Sequence, residues 1–122
     1  MPYADSDFFI ALLKPGDRLY RPAVEIYEKY KGHIYTSLAA VMEVMIVGKR
    51  VNIDPEALLA GTTSIARVYD VDEIKLARAA RLMKYDGFGI FDAFHAAFCD
   101  GEIISSDHVY DRAGIRRIKI QY

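Results

Sequence analysis

Apolar residues recur along this chain with a period that switches repeatedly between two and 3.6 residues, the signatures of strand and helix. The chain opens on an extended approach, Pro2 to Ala4, and turns at once into an apolar helical pattern through Phe8, Phe9, Leu12 and Leu13 that Pro15-Gly16 stops. A second helical pattern follows an Asp17 cap through Leu19, Val24, Ile26, Tyr27 and Tyr30 to Lys31-Gly32, with Pro22 in its first turns moving its start later. His33-Ile34-Tyr35 reads as a short strand, and Thr36-Ser37 caps a third helix, Leu38 to Val47, closed by Gly48-Lys49-Arg50. Asp54 with Pro55 opens a fourth helix lasting until Gly61, and Ile65 to Val71 alternates as a strand. Asp72 caps a helix over Glu73 to Tyr85, and after the loop Asp86 to Gly89 another helix spans Ile90 to Cys99. Glu102 to Ser106 and Gly114 to Ile120 are the last strands. Helical patterns separating short strands imply parallel βαβ units and an α/β fold.

Acids interrupt this pattern at four places. Asp5 stands at the first strand-to-helix switch, where open α/β folds place their chemistry. The plainer reading is that Asp5 and Asp7 only cap a helix, with Ser6 or Asp7 as N-cap. Glu43 interrupts a helix that is apolar on every side, and such a helix is a buried one. An isolated buried carboxylate is costly, so Glu43 either lines a cleft and holds a metal ion, or turns outward or pairs with an arginine. Asp92 begins another apolar helix, and Asp107 ends a strand. A doubly wound sheet brings strand ends and the starts of the following helices to one edge. Carboxylates gathered there suit Mg²⁺ or Mn²⁺, and metal-assisted phosphodiester hydrolysis is the matching reaction.

Composition narrows the setting. A chain of 122 residues, 52% hydrophobic, fits one domain with a core that needs no disulfide. Its one cysteine, Cys99, forms no internal disulfide, and no Cys/His spacing suggests zinc. Sixteen basic and 17 acidic residues give a net charge of −1, which argues against binding nucleic acid by bulk charge but leaves room for a local basic rim. No signal peptide or membrane span is visible, so a cytoplasmic location is the expectation.

The ordered motifs resemble a known family. Asp5-Ser6-Asp7-Phe8-Phe9-Ile10 is similar to the opening run of PIN-domain nucleases, and Glu43 matches their second acid. Phe91-Asp92-Ala93-Phe94-His95-Ala96-Ala97 resembles the signature of the third, and Ile104-Ser105-Ser106-Asp107 the motif of the fourth. The resemblance covers nearly the whole chain. It implies a five-stranded parallel sheet with helices on both faces, and Mg²⁺- or Mn²⁺-dependent RNA cleavage by Asp5, Glu43, Asp92 and Asp107. It also implies a VapC-like toxin, often a homodimer, inhibited by a cognate antitoxin. Asp7 departs from the commoner asparagine, and either adds metal affinity or caps the helix.

Supporting roles fall to Asp7, Ser105 and Asp111, although Asp111 suits a local ion pair equally well. His95, one turn after Asp92, is either an outer group of the cleft or a core histidine. Lys49, Arg50, Arg78 and Arg81 are candidates for the RNA backbone, as are Arg116, Arg117 and Lys119, with Arg116 on the opposite strand face. The helical run Lys75, Arg78, Arg81 and Lys84 is otherwise a solvated face. Two other function classes compete: a catalytically silent PIN-like module that binds RNA or protein, and a flavodoxin-like receiver with an acidic phosphoryl pocket.

Overall fold

The computed structural model describes residues 1–69 and 71–122. Its sheet contains β1 (Tyr3–Ala4), β2 (Tyr35–Ser37), β3 (Arg67–Tyr69), β4 (Glu102–Ser105) and β5 (Arg116–Lys119). All pairings are parallel, in the order β3-β2-β1-β4-β5. A receiver fold would instead run β2-β1-β3-β4-β5, so that reading is set aside.

Only two residues long, β1 is nevertheless central. Tyr3 pairs with Tyr35 on one side and Ile103 on the other. Alternation along the strands then sorts side chains between two cores. Ala4, Ile34 and Ile104 face one layer, with Phe8, Phe9, Val44 and Leu58. That layer is made of α1 (Ser6–Leu13), α2 (Tyr20–Tyr30), α3 (Leu38–Arg50) and α4 (Pro55–Ile65). Tyr3, Tyr35 and Ile103 face the other, with Ala93, Ala96 and Ala97. Here α5 (Glu73–Asp86), α6 (Ile90–Phe98) and a 3₁₀ helix (His108–Ala113) cover the sheet. The three alanines of α6 are fully buried, and their small size lets the helix lie close against the strands.

Several boundaries differ from the sequence reading. Helix α1 starts at Ser6 because Asp5, not Ser6 or Asp7, occupies the N-cap and accepts from the Ser6 amide. Strand β2 is shifted to Tyr35–Ser37, since Thr36 and Ser37 extend the ladder to β3 before α3 begins. Gly48 does not end α3, which runs on to Arg50. Gly61 lies inside α4, where the side chain of Leu13 packs against its bare Cα and α4 continues to Ile65. That shortens β3 to Arg67–Tyr69; the Asp70 of the expected strand lies outside the described residues. The other ends move less: α2 begins at Tyr20, α5 extends to Asp86 and stops on left-handed Gly87, α6 ends at Phe98, β4 at Ser105, and β5 is Arg116–Lys119.

Helix α3 is also not buried all round. Leu38, Met42 and Ile46, one turn apart, are 53%, 52% and 45% exposed, while Ala40 and Val44 reach the core. Leu38 and Met42 border an apolar groove of about 260 Å³ shared with Tyr69, Val71, Phe91 and Phe94. Among the described residues, no helix is long and apolar enough to cross a membrane.

Both cores should carry stability unequally with the surface. Phe9→Ala removes a fully buried ring and is expected to lower unfolding free energy by about 3–5 kcal/mol. Ile74→Ala, at a residue 82% exposed, should change it by no more than about 0.5 kcal/mol. Urea denaturation of the two variants measures the contrast.

Candidate metal centre

The site grows from the end of β1. The Asp5 amide continues the ladder by donating to the Ile104 carbonyl at 3.1 Å. Alternation then turns its carboxylate to the same face as Tyr3, toward α6. Oδ1 accepts from the Ser6 amide at 2.7 Å, and Oδ2 from the Ser105 hydroxyl at 2.7 Å and the Tyr110 hydroxyl at 3.1 Å. Only 5% of Asp5 is exposed, so these donors replace the water that burial removed.

Glu43 reaches the same place from α3. Its Oε1 accepts from the Ser6 hydroxyl and lies 2.8 Å from His95 Nε2. The carboxylate therefore turns into the cleft and pairs with a histidine, not an arginine. Burial raises its proton affinity, but the His95 and Ser6 hydrogen bonds outweigh that and leave Glu43 below its ordinary range.

His95 is fully buried. Its Nε2 also lies 3.2 Å from Asp5 Oδ1, and its Nδ1 lies 2.9 Å from the Tyr3 hydroxyl. Tyr3 in turn contacts Ser37 Oγ at 2.6 Å. Burial alone would keep the imidazole neutral; the Glu43 hydrogen bond and the charges of Asp5, Glu43 and Asp92 prevail and raise its pKa.

Asp92, in the first turn of α6, stands on the other flank of Asp5. Its Oδ1 accepts from Tyr110 at 3.4 Å, so one phenol proton is shared between Asp92 and Asp5. Burial, followed by the charges of Asp107 and Asp5, raises the Asp92 pKa. Tyr110 is held even more firmly in its neutral form, by burial and then by Asp5 and Asp92. Asp107 is exposed; its Oδ1 caps the 3₁₀ helix by accepting from Val109 at 2.9 Å.

Asp7 sits behind this group. Ser106 donates to its Oδ2 through both its amide, at 2.8 Å, and its hydroxyl. Ser105 Oγ approaches the same oxygen at 3.5 Å. Among the described residues, Asp7 Oδ1 is a buried oxygen with no hydrogen-bond partner. Burial, then the Asp5 charge, pushes Asp7 up to about 7.

The remaining candidates lie apart. Asp111 pairs with Arg117 through Nε at 3.2 Å and Nη2 at 3.3 Å, which lowers its pKa and turns it away from the acids. Arg117, with a side chain only 4% exposed, is thereby engaged, and Arg116 pairs with Glu102 at 3.4 Å. Lys49 and Arg50 are exposed in the last turn of α3, about 10 Å along the axis beyond Glu43. Arg78 and Arg81 are exposed on α5, and Arg81 lies over the Tyr85 ring at 5.1 Å.

A divalent cation fits the donor set. One ligand atom each from Asp5, Glu43 and His95 lie within 4.8 Å of one another. The orphaned Asp7 oxygen is a further buried oxygen donor that protein groups leave without a partner. Tyr110, Tyr3, Ser6 and Ser37 were not assigned to the site from the sequence, where Ser6 and Ser37 read only as helix caps. Tyr110 alone leaves a trace there, as a hydroxyl-bearing aromatic one turn beyond Asp107.

Comparison with known proteins bears on this geometry. The family model described as PIN domain matches residues 3–115. The chain belongs to the PIN-domain family. Among solved structures, VapC20 of Mycobacterium tuberculosis, a sarcin–ricin loop cleaving toxin, superposes with a TM-score of 0.81 at 18% identity, covering 98% of this chain and 99% of that one. A toxin–antitoxin complex from Klebsiella pneumoniae gives a TM-score of 0.76 at 21% identity, over 99% and 98% of the respective chains. FitAcB from Neisseria gonorrhoeae gives 0.64 at 16% identity, over 98% of each. At these identities the likeness is one of fold. No curated protein matches the sequence.

The raised Asp7 pKa gives this PIN domain a particular pH dependence. Folded Asp7 keeps a proton to about 7, whereas the unfolded chain releases it near the ordinary carboxyl value of 3.8. The folded state binds more protons in that window, so this contribution is fully present below it and is lost as pH rises through it. Without added metal, stability is expected to decline by roughly 2–4 kcal/mol between these limits. Asp7→Asn should remove that decline, as followed by thermal unfolding across pH.

Proposed function

We propose that this chain is a divalent-metal-dependent endoribonuclease acting as the toxin of a type II toxin–antitoxin pair. The observation that carries this reading is the convergence of Asp5, Glu43 and Asp92 on one sheet edge, joined by His95 and Tyr110. Such an arrangement is expensive for folding alone, because it buries like charges side by side. A cation supplies what the chain lacks. The family membership and the toxin structures that share the fold give further support.

Asp5, Glu43, Asp92 and Asp107 are the residues assigned to hold Mg²⁺ or Mn²⁺. When bound, the ion supplies Lewis acidity that activates water and neutralises charge on the phosphodiester. The chain's own task is orientation. Ser105 and Tyr110 fix one oxygen of Asp5, and the Ser6 amide fixes the other. Asp107 is exposed, and while its Oδ1 caps the 3₁₀ helix its second oxygen is the one it would offer to metal or substrate. Asp7 and Ser105 support this set from behind. Arg78 and Arg81 on α5, and Lys49 and Arg50 at the end of α3, are exposed and supply positive charge for the RNA backbone.

The partners that go with this function are an RNA substrate, a cognate antitoxin and a second copy of the chain in a homodimer, in the cytoplasm. VapC20 is a sarcin–ricin loop cleaving toxin, which makes a structured RNA loop a reasonable first substrate to try.

Asp92→Asn preserves shape while removing charge from a partly buried acid. It should reduce cleavage of a fluorescent RNA in Mg²⁺ or Mn²⁺ by at least about 100-fold, with an unchanged circular dichroism spectrum. Chelation of the metal should stop wild-type cleavage. A variant that cuts as fast as wild type refutes the assignment, and RNA binding without cleavage by the wild type favours a silent PIN module.

A further inference from the structure

Asp5 has two chemically different flanks. Toward Asp92 the group between the carboxylates is an oxygen, the Tyr110 hydroxyl. Toward Glu43 the group between the carboxylates is a nitrogen, His95 Nε2.

We propose that His95 is a direct nitrogen ligand, so that Asp5, Glu43 and His95 form a cation position that prefers Mn²⁺ to Mg²⁺. This rests on the metal-dependent reading above and adds a selectivity that four carboxylates would not give.

The spacing comes first. Nε2 lies 2.8 Å from Glu43 Oε1 and 3.2 Å from Asp5 Oδ1, with all three ligand atoms inside 4.8 Å. Neighbouring ligands on a six-coordinate ion with bonds of about 2.1–2.2 Å sit about 3 Å apart. A cation therefore needs only a small outward adjustment of these atoms.

Orientation is the second argument. A ligating histidine generally passes its other ring nitrogen to a neighbour that fixes the tautomer. His95 Nδ1 lies 2.9 Å from the Tyr3 hydroxyl, which lies 2.6 Å from Ser37 Oγ. Nε2–H donates to Glu43 when no ion is bound. Once a cation takes the place of that proton, Nδ1–H donating to Tyr3 and Tyr3 donating to Ser37 would keep the Nε2 lone pair on the cleft side. Tyr3 and His95 are fully buried, and Ser37 is 3% exposed, so water does not compete for this chain of donors.

The third argument is chemical. Imidazole suits transition-metal ions, whereas Mg²⁺ prefers oxygen and sheds water reluctantly. A set of two carboxylates and one buried imidazole discriminates between them, and the oxygen-only flank does not. The competing role for His95 is a brace, in which Nε2–H only holds Glu43 and Asp5 together.

The two roles separate experimentally. Pulsed electron paramagnetic resonance of the Mn²⁺-loaded wild type should show ¹⁴N coupling from a directly bound imidazole, and this needs no variant to fold. Calorimetry should show His95→Gln losing Mn²⁺ affinity by about 10–100-fold while Mg²⁺ affinity changes by less than about threefold. Absence of ¹⁴N coupling, an equal loss for both ions, or no binding of either ion to the wild type overturns the proposal. RNA cleavage measured alongside keeps the two readings apart. Cleavage without ¹⁴N coupling leaves the ribonuclease standing and removes the His95 ligand; ¹⁴N coupling without cleavage does the reverse.

Discussion

Both oxygens of the Asp5 carboxylate are held, and they are held from different parts of the fold. Helix α1 supplies the Ser6 amide to one, while β4 and the 3₁₀ helix supply Ser105 and Tyr110 to the other. A buried charge requires this many donors, because each unpaired lone pair in an apolar setting is costly. Meeting the requirement ties the first residues of the chain to segments a hundred positions later. The same donors reach neighbouring acids as well: Ser6 also meets Glu43, and Tyr110 also meets Asp92.

Asp7 shows the opposite solution two residues away. Its burial is only half compensated, by Ser106 on one oxygen, and the group responds by holding a proton. The surroundings of Asp7, and not its side-chain chemistry, thus set its raised proton affinity. The end of β4 divides the labour in the same way: Ser105 serves Asp5, Ser106 serves Asp7, and Asp107 caps the turn that follows.

Much of this was legible in the sequence. The β/α alternation, the parallel sheet and the position of Asp5 beyond a strand follow from hydrophobic period and turn residues. Asp54 and Asp72 cap their helices as their placement suggests. What the sequence hid were relations across space. Nothing local says that Ser37 would serve Tyr3 instead of capping α3, or that Arg117 would be spent on Asp111. A buried histidine and a cleft histidine also share one sequence pattern, and only the contacts of both ring nitrogens assign His95 to the cleft. Helix α3 misled for a physical reason. An all-apolar helix implies cover on every side, yet among the described residues Leu38, Met42 and Ile46 stay about half exposed.

The two-residue strand at the centre has a consequence for the birth of the molecule. Tyr3 and Asp5 are made well before β4, the neighbour that completes their setting, which spans Glu102–Ser105. A nascent chain still lacking that segment has no Ser105 or Tyr110 to receive the acid, and no second edge for β1. Long-range pairing of this kind forms late. The acidic cleft is therefore assembled only once β1, β4 and the 3₁₀ helix are all present, however early Asp5 itself is made.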